Sequence, residues 1–328
     1  MMKVFVGSIF SLIVTSLPVA VQAGYGDRTD VQVFVNEMVK NHQYDRAQLS
    51  YWLDGVQQQA SILEAIARPA EGKPWKEYRP IFLTSDRVQQ GVAFWKQHLT
   101  TLQRAEKQYG VPAEIIVAII GVETFYGKRS GNYPVLDALT TLGFDYPPRA
   151  EFFRKELEHY LLMTREEKVD PRELRGSYAG AMGMPQFIPS SFRNFAVDFD
   201  GDGKRDLWNS TADVIGSVAN YFKVNGWKFG EPVISRASVL GAATELAGTQ
   251  VKPVKSVAEY KQLGATPIHA FASQAQAVLL QFDGANGIEY WMGLDNFYVI
   301  TRYNRSPLYA LAVYQLSQAL VTEYSTVL

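Results

Sequence analysis

No cysteine occurs anywhere in the chain. That excludes disulfides, thiolate metal sites and attachment of a lipid through a cysteine, while leaving the compartment open. Histidine is nearly as scarce: the four residues, at positions 42, 98, 159 and 269, are scattered, which argues against a zinc site. Gly-x-Ser-x-Gly is missing, so no hydrolase elbow is visible, and no phosphate-cradling glycine loop precedes a helix. Charge of one sign is lacking too. The net charge is -1 with no basic block or tail, so nucleic-acid binding has no electrostatic support. Internal repeats and low-complexity segments are absent.

What is present is apolar and aromatic material. Of the 328 residues 47% are hydrophobic, among them 18 Tyr, 18 Phe and 6 Trp, enough for a sizeable core and for two or three lobes. Residues 1–23 read as a cleaved secretory signal. Lys3 supplies the positive start, Val4 to Val19 the apolar stretch, and Val21-Gln22-Ala23 the cleavage site. The stretch is short and interrupted for a membrane span, so the mature protein is expected without one.

From Thr29 to Tyr109 apolar residues recur at helical spacing, as in Val31, Phe34, Val35, Met38 and Val92, Trp95, Leu99. Pro69, Pro74 and Pro80 interrupt the middle, so Trp75 to Pro80 reads as loop. A helix opens at Val111-Pro112 and is apolar on all faces through Val122, hence buried. Further helices are expected over Phe152 to Met163, Asp213 to Phe222 and from Ser306 onward. Between Trp227 and Tyr298 the texture changes to short strand-like runs punctuated by Gly, Pro and Asp, a small β-rich lobe at about 231–298.

Four constellations carry chemistry. Glu123 ends the apolar helix. Desolvation disfavours its carboxylate, which suits a general acid near neutral pH; a structural buried acid is the competing reading. Ser177 to Ser191 interleaves glycines with Met182, Gln186 and Ser190, letting backbone approach a ligand closely. Asp198-x-Asp200-x-Asp202-Gly203 followed by Asp206 matches an EF-hand loop over 198–209, with the Lys204 carbonyl as a further ligand. Position twelve is Asn209 where a bidentate Glu is usual, so calcium binding should be weak. Tyr298 to Tyr309 holds Tyr303, Asn304 and Tyr309, able to stack on sugar rings and equally able to be core.

Taken together, Gly121–Gly127, Ser177–Ser191 and Asp198–Trp227 resemble the membrane-bound lytic transglycosylase B family, glycoside hydrolase family 103. The resemblance runs from about Tyr78 to the C-terminus. It implies a mainly α (α+β) protein: an N-terminal helical lobe at 24–108, a lysozyme-like core with the EF-hand-like loop at 109–230, the β lobe at 231–298, and a C-terminal segment at 299–328 returning to the groove and helical lobe. It implies cleavage of the β-1,4 bond between N-acetylmuramic acid and N-acetylglucosamine in peptidoglycan, leaving 1,6-anhydromuramoyl ends. Glu123 matches the family's single acid/base. Ser177 and Gln186 match subsite residues; Tyr78, Arg149, Tyr221, Tyr303, Asn304 and Tyr309 fall where the family lines its glycan groove. Calcium at Asp198, Asp200, Asp202, Lys204, Asp206 and Asn209 is then structural, and no organic cofactor is expected. The family is often lipid-anchored; without cysteine, a soluble periplasmic enzyme is expected, working on glycan strands and open to complexes with other cell-wall enzymes. Two alternatives remain: a hydrolytic muramidase, needing a second carboxylate such as Asp137, Asp145 or Glu151, and a non-catalytic, calcium-stabilised wall-binding protein.

Overall fold

The computed structural model describes residues 24–67 and 72–326. The signal segment read at 1–23 and Pro69 lie outside them. The chain divides after Gly55 into two compact units. The first holds α1 (Thr29–His42) and α2 (Arg46–Asp54). Val31, Phe34, Val35 and Met38 form the buried stripe of α1, one face of a 3.6-residue period. Asp45 caps α2 by accepting the Gln48 amide.

The second unit carries the chemistry. Its helices begin with α3 (Ala60–Ile66), α4 (Trp75–Phe82), α5 (Ser85–Gln97), α6 (Leu99–Tyr109) and α7 (Ala113–Thr124). The segment read as loop at Trp75–Pro80 is helical instead. Trp75 and Tyr78, one turn apart, are both buried, and the Trp75 ring lies 5.9 Å from Phe282. Burial of two large rings outweighs the backbone hydrogen bond that Pro80 forfeits. Helix α7 is the hub. Ile115 to Ile120 are all nearly inaccessible, and α5, α6, α11 (Thr211–Val224) and α14 (Pro307–Thr326) pack around it. A fully buried side chain of this size is worth about 1.5–3 kcal/mol, so the helix is fixed by packing on every side.

Between α7 and α11 run β1 (Tyr133–Pro134), α8 (Val135–Asp145), α9 (Ala150–Glu167), β2 (Arg175–Gly176) and α10 (Pro189–Phe195). After α11 the chain builds one antiparallel sheet in the order β4-β6-β7-β3-β5. Its strands are β3 (Ile234–Val239), β4 (Lys255–Ser256), β5 (Ala265–Pro267), β6 (Gln276–Gly284) and β7 (Gly287–Gly293), with α12 (Val257–Gln262) between β4 and β5. Val257, Tyr260, Leu279 and Met292 share its core. Helix α13 (Asp295–Tyr303) then returns the chain to α14. No described helix is long and apolar enough to cross a membrane.

Candidate active site

The apolar run that makes α7 a buried helix also decides the state of Glu123, its penultimate residue. The side chain is half-buried. Removal from water pushes its carboxyl up to about 7, against a smaller downward pull from the Tyr309 hydroxyl. Burial is the cause, and no neighbouring carboxylate contributes. Tyr309 Oη donates to Glu123 Oε1 at 2.5 Å across 186 residues of sequence. Tyr303 stacks on Tyr309, ring centroids 6.5 Å apart and nearly parallel, and donates its own hydroxyl to the Pro185 carbonyl at 2.6 Å. Tyr221 meets Tyr303 edge-on at 4.8 Å and donates to the Arg302 carbonyl. These hydroxyls are thereby committed, and what the aromatic wall offers a ligand is ring surface.

Beyond Glu123 the chain leaves the helix abruptly. Phe125 and Tyr126 both have positive φ, 54° and 61°, a costly state for residues with a Cβ. Thr124, fully buried, holds the exit. Its Oγ1 accepts the Gly127 amide at 3.0 Å and donates to the Met184 carbonyl at 2.8 Å. The acid's helix is thus tied directly to the glycine-rich loop.

That loop has no regular structure of its own. Ser177 Oγ accepts the amides of Ala179 and Ala181, at 3.2 and 3.0 Å, which leaves its hydroxyl proton for a partner. Gln186 sits at φ 53° with its Nε2 donating to the Ser130 and Gly183 carbonyls, so its side-chain oxygen remains for a ligand. Gly183 must be glycine: a Cβ there would lie 2.3 Å from the Leu207 carbonyl oxygen, and φ is +65°.

A cleft of about 760 Å³ runs along this wall. Arg149, Gln186, Tyr221, Tyr303 and Asn304 line it, and among the described residues no acidic one does. Glu123 is joined to it at one ring's remove, through Tyr309 and Tyr303. A second cavity of about 550 Å³ shares Asn304 with the first and reaches Trp75 and Phe282 beside the sheet. Arg149 lies 4.4 Å over the Phe152 ring. Of the substrate residues read from sequence, Ser177, Tyr309 and Tyr78 are not among those that line the cleft. Tyr78 is 4% exposed, within electrostatic reach of Tyr309, and packs on Trp75 and Phe82. Sequence reasoning had missed Thr124 and the cleft arginines Arg302 and Arg305.

Two of the three acids that could serve as a second carboxylate are occupied elsewhere. Asp137 accepts from Gln59 and Asp145 from Gln58. Glu151 is exposed in the first turn of α9.

The acidic loop follows α10. Asp198, Asp200 and Asp202, all exposed, each bring one oxygen within 4.8 Å of the others. A calcium ion binds carboxylate oxygen at about 2.3–2.6 Å, so one ion could touch all three. Asp200 is held below the usual carboxylate range first of all by the Ser210 hydroxyl. Asp206 turns to Asn209, whose Nδ2 donates to both its oxygens. Lys204 is exposed, and its amide donates to Asp202. The loop's scaffold is Asp213. This fully buried carboxylate accepts the amides of Phe199, Asp200 and Asp206, while burial pushes its carboxyl up. Ser210 caps α11 by accepting the Asp213 amide, and Ser-x-x-Asp before an apolar run is the sequence signal that could have found the pair.

Comparison with known proteins places these features. The transglycosylase SLT domain family matches residues 26–318. The chain is 46% identical over 305 residues to the membrane-bound lytic murein transglycosylase B of Escherichia coli (strain K12), covering 90% of this chain and 83% of that one. The structure of the catenated lytic transglycosylase SltB1 from Pseudomonas aeruginosa superposes with a TM-score of 0.88 at 54% identity, over 92% of this chain and 99% of that chain. Escherichia coli lytic transglycosylase Slt35, solved in complex with calcium, superposes with a TM-score of 0.85 at 45% identity, over 95% and 100% of the two chains.

Proposed function

We propose, for a chain that belongs to the transglycosylase SLT-domain family and is a lytic murein transglycosylase acting on peptidoglycan, that Glu123 is its single acid/base and that the product carries 1,6-anhydromuramoyl ends. One observation carries this reading: a half-buried carboxyl raised to about 7 by burial, linked through Tyr309 and Tyr303 to a cleft that no described acidic residue lines. Such a group holds a proton near neutral pH and can still give it up.

In the first half of the reaction protonated Glu123 gives its proton to the glycosidic oxygen as the bond to the muramoyl anomeric carbon breaks. Hydrolytic glycosidases supply a second carboxylate for the positive centre that forms. Here the substrate's own N-acetyl oxygen takes that part. In the second half the Glu123 carboxylate removes the proton of the muramoyl 6-hydroxyl, whose oxygen closes on the anomeric carbon. Glu123 ends protonated as it began, and no water is consumed. The attack is intramolecular, which such proximity favours strongly. The Tyr309 hydroxyl supports both halves. Its hydrogen bond stabilises the carboxylate between them and keeps the carboxyl from rising further.

Ser177 and Gln186 would hold sugar substituents through their free hydroxyl proton and amide oxygen. Arg149, Tyr221, Tyr303 and Asn304 would form the glycan groove, with Tyr309 and Tyr78 supporting it from behind. Asp198, Asp200 and Asp202 would hold calcium as a structural ion, with Asp206, Asn209 and the Lys204 carbonyl completing the set. Three exposed carboxylates this close repel one another, and a divalent cation removes that repulsion. Since the substrate is peptidoglycan and no cysteine is available for lipid attachment, the enzyme would work unanchored in the periplasm.

Mass spectrometry of muropeptides released from purified sacculi tests the reaction. Anhydromuramoyl ends are the expected product. Reducing muramic acid ends would instead establish a muramidase.

A further inference from the structure

The acidic loop and the glycine-rich loop are far apart in sequence but meet at the turn that leaves the acidic loop. Trp208 Nε1 donates to the Arg175 carbonyl at 2.8 Å. The Leu207 carbonyl accepts the Met184 amide at 2.8 Å, and Gly183 packs against the same oxygen. Met184 is also the residue whose carbonyl receives Thr124, next to Glu123.

The bond to Arg175 has a particular consequence. Strands β1 and β2 pair Tyr133 with Gly176 and Pro134 with Arg175, and the next amide, Val135, donates to the Leu174 carbonyl. Bonded and non-bonded pairs alternate in an antiparallel ladder. Pro134 and Arg175 are therefore the non-bonded pair, and the Arg175 carbonyl faces away from β1. Trp208 is its partner. Ser177 follows two residues later, so the indole fixes the point from which the loop departs. The backbone of Trp208 is in turn held by Asp206 Oδ1, at 2.9 Å.

We propose that Trp208 is a positioning residue of the substrate site: its indole N–H sets the register of the Ser177–Gln186 loop, and with it the hold on the sugar. This rests on the reading of that loop as sugar-binding. Trp208 touches no reacting atom, so its effect should fall on substrate binding and leave the acid alone.

The test uses the full mature enzyme on soluble glycan strands of one defined length. Trp208→Phe keeps a ring and removes the donor. KM should rise about 2- to 10-fold, the range that one net hydrogen bond supports. The value of kcat should stay within about twofold, and the alkaline limb of the pH profile should not move. Trp208→His retains a ring N–H and should return KM toward the wild-type value. Ser177→Ala should raise KM as well, and the double variant Ser177→Ala/Trp208→Phe should be little worse than Ser177→Ala alone, since both act through one loop. An unchanged KM in Trp208→Phe, or a fall in kcat with KM unchanged, overturns the role of Trp208 alone if Ser177→Ala has raised KM. An unchanged KM in Ser177→Ala overturns the sugar-binding reading of the loop, and the role of Trp208 with it.

Discussion

Glu123 and the acidic loop use the same functional group in opposite surroundings. Glu123 is a single carboxyl, half-buried at the end of an apolar helix, with one hydroxyl as its partner. Asp198, Asp200 and Asp202 are gathered, exposed and bonded to loop amides. Burial raises a carboxyl's affinity for protons, whereas exposed carboxylates gathered in one loop offer their oxygens to a divalent cation. The first region can exchange a proton near neutral pH; the second gathers oxygens around one point.

The comparison breaks most sharply at Glu123 itself. Glu123→Gln keeps shape and hydrogen bonding but carries no transferable proton. Turnover on sacculi should fall at least about 10²–10⁴-fold, the usual worth of general acid/base catalysis. The same substitution should make the fold more stable at alkaline pH. A carboxyl raised to about 7 binds its proton more tightly in the folded state than in the unfolded one. Its contribution is complete below the unfolded value and is lost as pH rises through about 7. Thermal melts at pH 5 and pH 8.5 should show the variant gaining on wild type only at the higher pH, by on the order of a few kcal/mol. Equal gains at both would mean that Glu123 is not desolvated.

A smaller effect is expected at its partner. The Tyr309 hydroxyl lowers the Glu123 carboxyl, so Tyr309→Phe should move the alkaline limb of the kcat/KM profile to higher pH, with about tenfold lower activity at the optimum. A limb that moves down, or stays, contradicts the hydrogen bond's assigned sign.

The acidic loop should respond to metal where Glu123 responds to protons. Calcium that binds only the folded state stabilises it by mass action. It should raise the melting temperature of wild type, and Asp202→Ala should abolish the rise with turnover changed less than about threefold. If chelator and calcium leave the wild-type melt unmoved, the loop is a solvated acidic turn. Smallest is Asn209→Glu. It adds a carboxylate where an amide now meets Asp206 and should tighten calcium binding by about tenfold or less in calorimetric titration.

Local signals were legible in the sequence and long-range ones were not. The apolar run before Glu123 announced both the buried helix and its raised carboxyl. Alternate acids around Gly203 announced the cluster, because a loop of that spacing needs no distant partner to bring its carboxylates together. The strand-like runs after Trp227 announced a β region but not the order β4-β6-β7-β3-β5, which depends on pairings between separated segments. Trp75 to Pro80 was misread because proline is a local signal, while the burial that overrides it comes from Phe282, about two hundred residues away. Thr124 and Asp213 were passed over for a related reason. Each acts by bonding backbone groups that any sequence would supply, so the bonded residues do not mark them, and only the Ser-x-x-Asp cap at Ser210 points to Asp213.

The hydrogen bond between Tyr309 and Glu123 joins α14 to α7 and spans 186 residues. Glu123 lies on α7 and its partner on α14, so the pair forms only when these two helices meet. Until the final helix has folded back, Glu123 stands without the group that steadies its carboxylate, and the tyrosine wall is incomplete. A chain cut between the two helices would keep the carboxyl and lose the hydroxyl that steadies it.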